Sequence, residues 1–217
     1  MFKKILSYLY PITIYTKPSV ISKSIEVTLY NGKMLLNTKN TNYSYGSLQV
    51  ILKKGLLDIG KAEINSMESI LILGVAGGSV VQTLVTDFSF TKNITGVELD
   101  KEIIDVANSY FNLDKISNFK CIIADAEQFV NTDANHYDLI VIDIFKDTEM
   151  PSFLFEQSFI SNCKKLLDKN GYILFNTMNL NKNVIENYLL HFDAHNFTQK
   201  VLKNIERYND VIIIRRI

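Results

Sequence analysis

This sequence predicts a doubly wound α/β domain with a mostly parallel sheet and a small N-terminal β-hairpin appendage. Three observations carry that expectation. From Ser69 onward, short apolar runs alternate with amphipathic ones. The runs SILILG, YDLIVID and GYILFN are apolar at consecutive positions, as strands covered on both faces of a parallel sheet must be. The first sixty residues lack this alternation and carry a hairpin signal instead.

The chain opens with MFKKILSYLYPITIY. Lys3 and Lys4 precede an apolar stretch that Tyr8, Tyr10 and Pro11 interrupt, and no small-residue cleavage site follows. We read it as a docking strand or a short helix, with weak membrane contact as the alternative. Residues 19–38 are strand-like, and Asn31-Gly32 between two alternating runs signals a tight turn, because both residues tolerate positive φ. Residues 45–57 carry Leu48, Ile51, Leu52 and Leu56 at helical spacing. The expected division is 1–60 for hairpin plus helix and 61–217 for the larger α/β domain.

The larger domain then reads strand SILILG, helix 80–87, strand NITGVEL and helix 101–111. Strands FKCIIA and YDLIVID follow, and then helix 153–167, stopped by Asn170-Gly171. Strand GYILFN and helix 181–192 come next. FTQKVLK and DVIIIRR look like an antiparallel pair that closes the sheet.

The chain has 217 residues, 47% hydrophobic and 21% charged, enough for a substantial core. Lys plus Arg balances Asp plus Glu at 23 each, which argues against a nucleic-acid partner held by a broad basic surface. Cys121 and Cys163 both lie in apolar surroundings and read as buried free thiols, consistent with a cytoplasmic protein. No apolar run approaches the ~20 residues that span a bilayer, so no membrane partner is expected.

Four strand ends carry polar chemistry, where ligands sit in such folds. Gly74, Gly77 and Gly78 in GVAGGS end the first strand of the large sheet. Glycines let backbone approach a ligand, and the next helix offers free N–H groups. The spacing G-x-x-G-G differs from the G-x-G-x-x-G of a dinucleotide pyrophosphate site. Glu98 ends the second strand, 20 residues after Gly78, where a carboxylate can accept both ribose hydroxyls. Asp100 is a second candidate for that role. Asp125, followed by Ala126, ends the third strand and can accept from an adenine amino group, cap a helix, or do both. Asp143 ends the fourth strand after six mostly apolar residues, a costly place for an acid without a partner or a task. Glycine loop and three acids in this order describe a site for an adenosyl thioether, the S-adenosylmethionine site of a class I methyltransferase-like Rossmann fold.

The run from Ile70 to Thr177 resembles the spermidine synthase family of aminopropyltransferases. ILGVAGGSV, GVELDKEIIDVANSYF, ADAEQF, YDLIVIDIF and FEQSFISNCKKLLDKNGYILFN carry the resemblance, and LYNGKMLLNT with TNYSYG resembles its β appendage. The likeness is to a divergent, spermidine-synthase-like branch. It implies a transferase of polyamine biosynthesis that binds decarboxylated S-adenosylmethionine, with Asp143 as base, Tyr45 assisting, an amine as small-molecule acceptor, and a homodimer. The departures are specific. Gly77 stands where the family resembles GGGDGG, so the acid that disfavours a carboxylated donor is gone. Asp143-Ile144-Phe145-Lys146 stands where the family has D-S-S-D. Lys146 replaces the second acid, and two like unit charges ~4 Å apart repel by about 1–4 kcal/mol at dielectrics of 80 to 20. Asp147 is next door and can compensate if the loop shifts. Tyr45-Gly46 stands where the family has Tyr-Gln.

The expected function is therefore transfer of a group from decarboxylated or ordinary S-adenosylmethionine to a small amine. The alternatives are a small-molecule methyltransferase and a degenerate non-catalytic binder. No metal is expected: His191 and His195 have i, i+4 spacing, but no third ligand supports a site.

Overall fold

A computed structural model describes residues 2–38, 42–44, 47–146 and 149–217 of the chain. Two sheets organise it. The smaller is antiparallel and four-stranded, built from β1 (Ile12–Ser19), β2 (Lys23–Tyr30), β3 (Lys33–Thr38) and β4 (Asn42–Ser44) in that order. The expected hairpin is its centre, and Asn31 and Gly32 take φ of 48° and 73°, as the turn demands. The opening segment provides both expected elements, helix α1 (Phe2–Leu6) and strand β1. The Ser7 carbonyl and hydroxyl oxygens accept from the Asn31 and Gly32 amides and hold α1 on this turn.

The larger sheet has seven strands: β5 (Ser69–Leu73), β6 (Asn93–Glu98), β7 (Phe119–Ile123), β8 (Tyr137–Ile142), β9 (Leu167–Met178), β10 (Phe197–Ile205) and β11 (Asn209–Arg216). Their spatial order is β10-β11-β9-β8-β5-β6-β7. Strands β5 to β9 pair in parallel, and β11 enters antiparallel between β9 and β10. The sheet is mostly parallel, as expected. Alternation inside the apolar runs explains why they carry no polar positions. Ile70 and Ile72 pack on one side with Leu139 and Val141, while Leu71 and Leu73 pack on the other with Ile140 and Ile142. Helices α2 (Ser47–Ile59), α3 (Lys61–Ser66) and α4 (Ser79–Thr86) help cover the first side. Helices α6 (Ala126–Thr132), α7 (Gln157–Leu166) and α8 (Lys182–Leu189) cover the second.

Helix α5 (Lys101–Phe111) joins the two sheets. Its Ile104 and Ala107 face the large sheet, and its Ile103, Val106 and Phe111 pack on Ile25, Val27 and Leu36 of the small one. An ion pair of Lys17 with Glu102 reinforces that junction. Helix α2, grouped with the N-terminal unit from the sequence, buries Ile51, Leu52 and Leu56 against the large sheet. The helix expected over 153–167 divides into a 3₁₀ turn at Ser152–Phe155 and α7, with Glu156 in an extended conformation between them. Strand β9 begins at Leu167, ahead of Asn170-Gly171, because Leu167 already pairs with Tyr137. Among the described residues, no helix is long and apolar enough to cross a membrane.

Candidate active site

The order of strands around β5 sets the site. The chain runs β5, β6, β7 to one side, then returns to place β8 on the other, so the crevice opens between the carboxyl ends of β5 and β8. Leu73 is paired with Ile142 there, and the Asp143 amide donates to the Leu73 carbonyl at 2.8 Å. The next residue on β5, Gly74, has φ 89°, and a Cβ on it would collide with the Asp143 carbonyl oxygen. Glycine is required at 74 by the approach of two strand ends, in addition to any ligand. Gly78 also has positive φ, 79°, and faces the Leu113 side chain. Between them Ala76 is held at φ 47°, a left-handed conformation that is strained for a residue with a Cβ.

The turn closes around Glu98. One carboxylate oxygen accepts from the Val75 and Ala76 amides at 3.1 and 2.9 Å, and the other accepts from the Asp100 amide at 3.0 Å. Burial pushes the Glu98 carboxyl above its ordinary range, and these amide bonds oppose that rise. Asp100, the second candidate from the sequence, is committed elsewhere. Its Oδ1 caps α5 by accepting from the Glu102 amide at 3.0 Å. Its Oδ2 accepts from the Ser19 and Ser22 hydroxyls at 2.5 and 2.6 Å. It is 2% exposed and ties the β1–β2 turn to the mouth of the crevice. Asp125 caps α6 through Oδ1, which accepts from the Gln128 amide at 3.0 Å, and Ala126 opens that helix. The second Asp125 oxygen carries no hydrogen bond to the described residues, so capping and ligand contact are compatible.

Asp143 is half-buried at the floor. Its Oδ1 accepts from Asn176 Nδ2 at 2.9 Å. Burial pushes its carboxyl up to about 6; the Asn176 bond pulls down and the Glu98 charge adds to the rise. Neither Asn176 on β9 nor Asn209 on β11 stands out in the sequence, since asparagine at a strand end reads as an ordinary boundary. Both are buried and both line the same space.

That space is a cavity of about 460 Å³, within the ~300–1,000 Å³ of small-molecule sites. Gly74, Glu98, Asp125, Ala126 and Asp143 all line it, so four strand ends far apart in sequence converge. Gly77 and Gly78 are not among its described lining residues. Tyr45, Gly46 and Asp147 lie outside the described residues. Much of the remaining wall is apolar, from Val20 and Ile21 of the β1–β2 turn to Phe153 and Met178, and Lys23 and Lys146 also contribute. Among the described residues, no group of three or more His, Cys, Asp or Glu could hold a metal. The His191–His195 face does not form, because α8 ends at Leu189; His191 Nδ1 instead lies 2.6 Å from Gln157 Oε1. Burial pushes both thiols, Cys121 and Cys163, up to about 12, where they are inert.

Residues 49–214 match the family model described as the spermine/spermidine synthase domain. A polyamine aminopropyltransferase of Buchnera aphidicola is 32% identical over 111 residues, which are 49% of this chain and 38% of that protein. The matched stretch thus spans well under half the length of that curated relative. A probable spermidine synthase from Corynebacterium glutamicum superposes with TM-score 0.74 at 16% identity, over 94% of this chain and 79% of that one. Human methyltransferase-like protein 13, solved in complex with SAH, superposes with TM-score 0.66 at 21% identity, over 80% of this chain and 83% of that one. At these identities the structural likenesses speak to the fold alone.

Proposed function

The chain belongs to the spermine/spermidine synthase family, and on that premise we propose that it is a transferase acting on an adenosyl thioether donor and a small amine acceptor. One observation carries the reading: Gly74 of the glycine turn and the three acids anticipated for such a donor line a single cavity. In this reading Glu98 accepts from the ribose and Asp125 from the adenine amino group. A carboxylate offers about four acceptor positions. Backbone amides already engage at least three on Glu98, so the ribose shares positions with them. The sulfonium then lies near the switch point, above Asp143.

Asp143 Oδ1 is engaged by Asn176, and Oδ2 carries no hydrogen bond to the described residues. Oδ2 is the proton acceptor we assign. An alkylamine with a solution pKa near 10.4 is protonated at neutral pH and cannot attack. Asp143 takes one proton from it. The nitrogen lone pair attacks the carbon beside the sulfonium, the carbon–sulfur bond breaks, and its electron pair leaves on sulfur as a neutral thioether. In-line positioning supplies most of the remaining acceleration. Tyr45 assists Asp143 in this proposal. A homodimer in the cytoplasm is part of the same reading.

A second reading is methyl transfer from ordinary S-adenosylmethionine. Gly77 supports it, since no acid at that position repels the donor carboxylate. Lys146 on the cavity wall supports it too, because a cation there opposes a polycationic acceptor. Calorimetric titration with S-adenosylmethionine, its decarboxylated form and methylthioadenosine separates the readings. Preferential binding of the decarboxylated donor supports aminopropyl transfer. Preference for the carboxylated donor moves the assignment to methyl transfer. Binding of none of the three overturns both.

A further inference from the structure

We propose that Asn209, acting through Asn176, is a positioning residue that fixes the Asp143 carboxylate. The inference rests on the reading of Asp143 as the base. Asn209 Nδ2 donates to Asn176 Oδ1 at 3.0 Å, and Asn176 Nδ2 donates to Asp143 Oδ1 at 2.9 Å. The three side chains come from the ends of three adjacent strands, β11, β9 and β8. Asn176 and Asn209 are 2% and 4% exposed. Buried amides are costly unless bonded. Phe175 and Val211, one and two residues away, are fully buried.

The register makes the chain of bonds a consequence of the fold. Asn176 pairs with Val211, and Asn209 pairs with Met178, so the two amides are diagonal neighbours on one face. The chemistry fixes its direction. An ionised carboxylate only accepts, so Asn176 must present Nδ2 to Asp143. Its Oδ1 is then left facing Asn209, which must donate. The relay therefore favours ionised Asp143 and holds Oδ1, leaving Oδ2 toward the cavity. Among the described residues, the other charged groups on the cavity wall are Glu98 from β6, Asp100, Asp125 and Lys23, with Lys146 on the loop of Asp143 itself. Asp210, beside Asn209, has its Oδ1 engaged by the Asn204 amide.

The test is an NMR titration of the whole protein labelled with ¹³C-carboxyl aspartate, together with the pH profile of kcat/KM. Asn209→Leu keeps the side-chain branching and removes the donor; Asn209→Ala removes the whole amide. We expect the Asp143 midpoint and the acid limb to rise by about one pH unit in both variants, the size of one lost hydrogen bond. An Asp143 midpoint unmoved in folded variants overturns the relay. If neither variant folds, the wild-type side-chain amides decide: Asn176 and Asn209 must shift with the Asp143 midpoint, and amides silent through that range overturn it. Asp143→Asn keeps the two failures apart. If it retains full activity the base reading fails, while the carboxylate titration still decides the relay.

Discussion

Asp143→Asn should make the protein more stable at alkaline pH while stripping its activity. Burial holds the Asp143 carboxyl at about 6, against an ordinary value of 3.8. Ionised Asp143 is therefore less favourable in the folded chain than in the unfolded one. The folded state binds more protons than the unfolded state between these two values, so stability falls as pH rises through them. Above pH ~7 the full cost is present, and below pH ~4 it is gone. The displacement of about 2 pH units sets a ceiling of about 3 kcal/mol at ~1.4 kcal/mol per unit. Asp143 is half-buried, and water screens part of the effect, so we expect about 1–2 kcal/mol. Asparagine can still accept from Asn176 through its amide oxygen, so the relay is kept. For a chain of this length, 1 kcal/mol moves Tm by about 2–4 °C. Thermal melts of both proteins should thus differ by about 2–8 °C at pH 8, with the variant higher, and converge near pH 4. Turnover should fall by about 10²–10⁴, the usual loss for a removed general base. A variant less stable at pH 8, or a Tm gap independent of pH, would refute this account of Asp143.

Three further outcomes follow from the turn and its surroundings. Ala76→Gly relieves a left-handed alanine, worth about 1–2 kcal/mol, against about 0.5–1 kcal/mol of added chain entropy; urea denaturation should show a net gain of about 0.5–1 kcal/mol. Gly74→Ala drives a Cβ into the Asp143 carbonyl at positive φ, and a loss of about 3 kcal/mol or more should appear as low soluble yield and an early denaturation midpoint. Asp100→Ala removes the α5 cap and the acceptor of the Ser19 and Ser22 hydroxyl protons, so a loss of about 2–3 kcal/mol is expected, with faster amide exchange in the β1–β2 turn than in β9.

The sheet was legible because strands covered on both sides have no room for polar alternation. SILIL and YDLIVI announce themselves, and Asn31-Gly32 announces its turn, by local chemistry alone. The strand-end acids were legible for a related reason, since a carboxylate after a buried apolar run needs a task or a partner. What each acid does was a matter of neighbours distant in sequence. Asp100 and Glu98 are both candidates two positions apart, with Glu98 preferred because it follows directly on the apolar run. Only the β1–β2 turn, some eighty residues earlier, commits Asp100 to Ser19 and Ser22. Asn176 and Asn209 were invisible for the same reason. Each is an ordinary strand-end residue until the register of β9 and β11 sets them diagonally beside Asp143. Sequence by itself determined the doubly wound class, the glycine turn and the three acids, because period, burial and turn chemistry act within a few residues. Tertiary structure alone decided which groups share the cavity and which oxygens remain open in it, because hydrogen bonds between strand ends depend on sheet order and register, which no local pattern encodes.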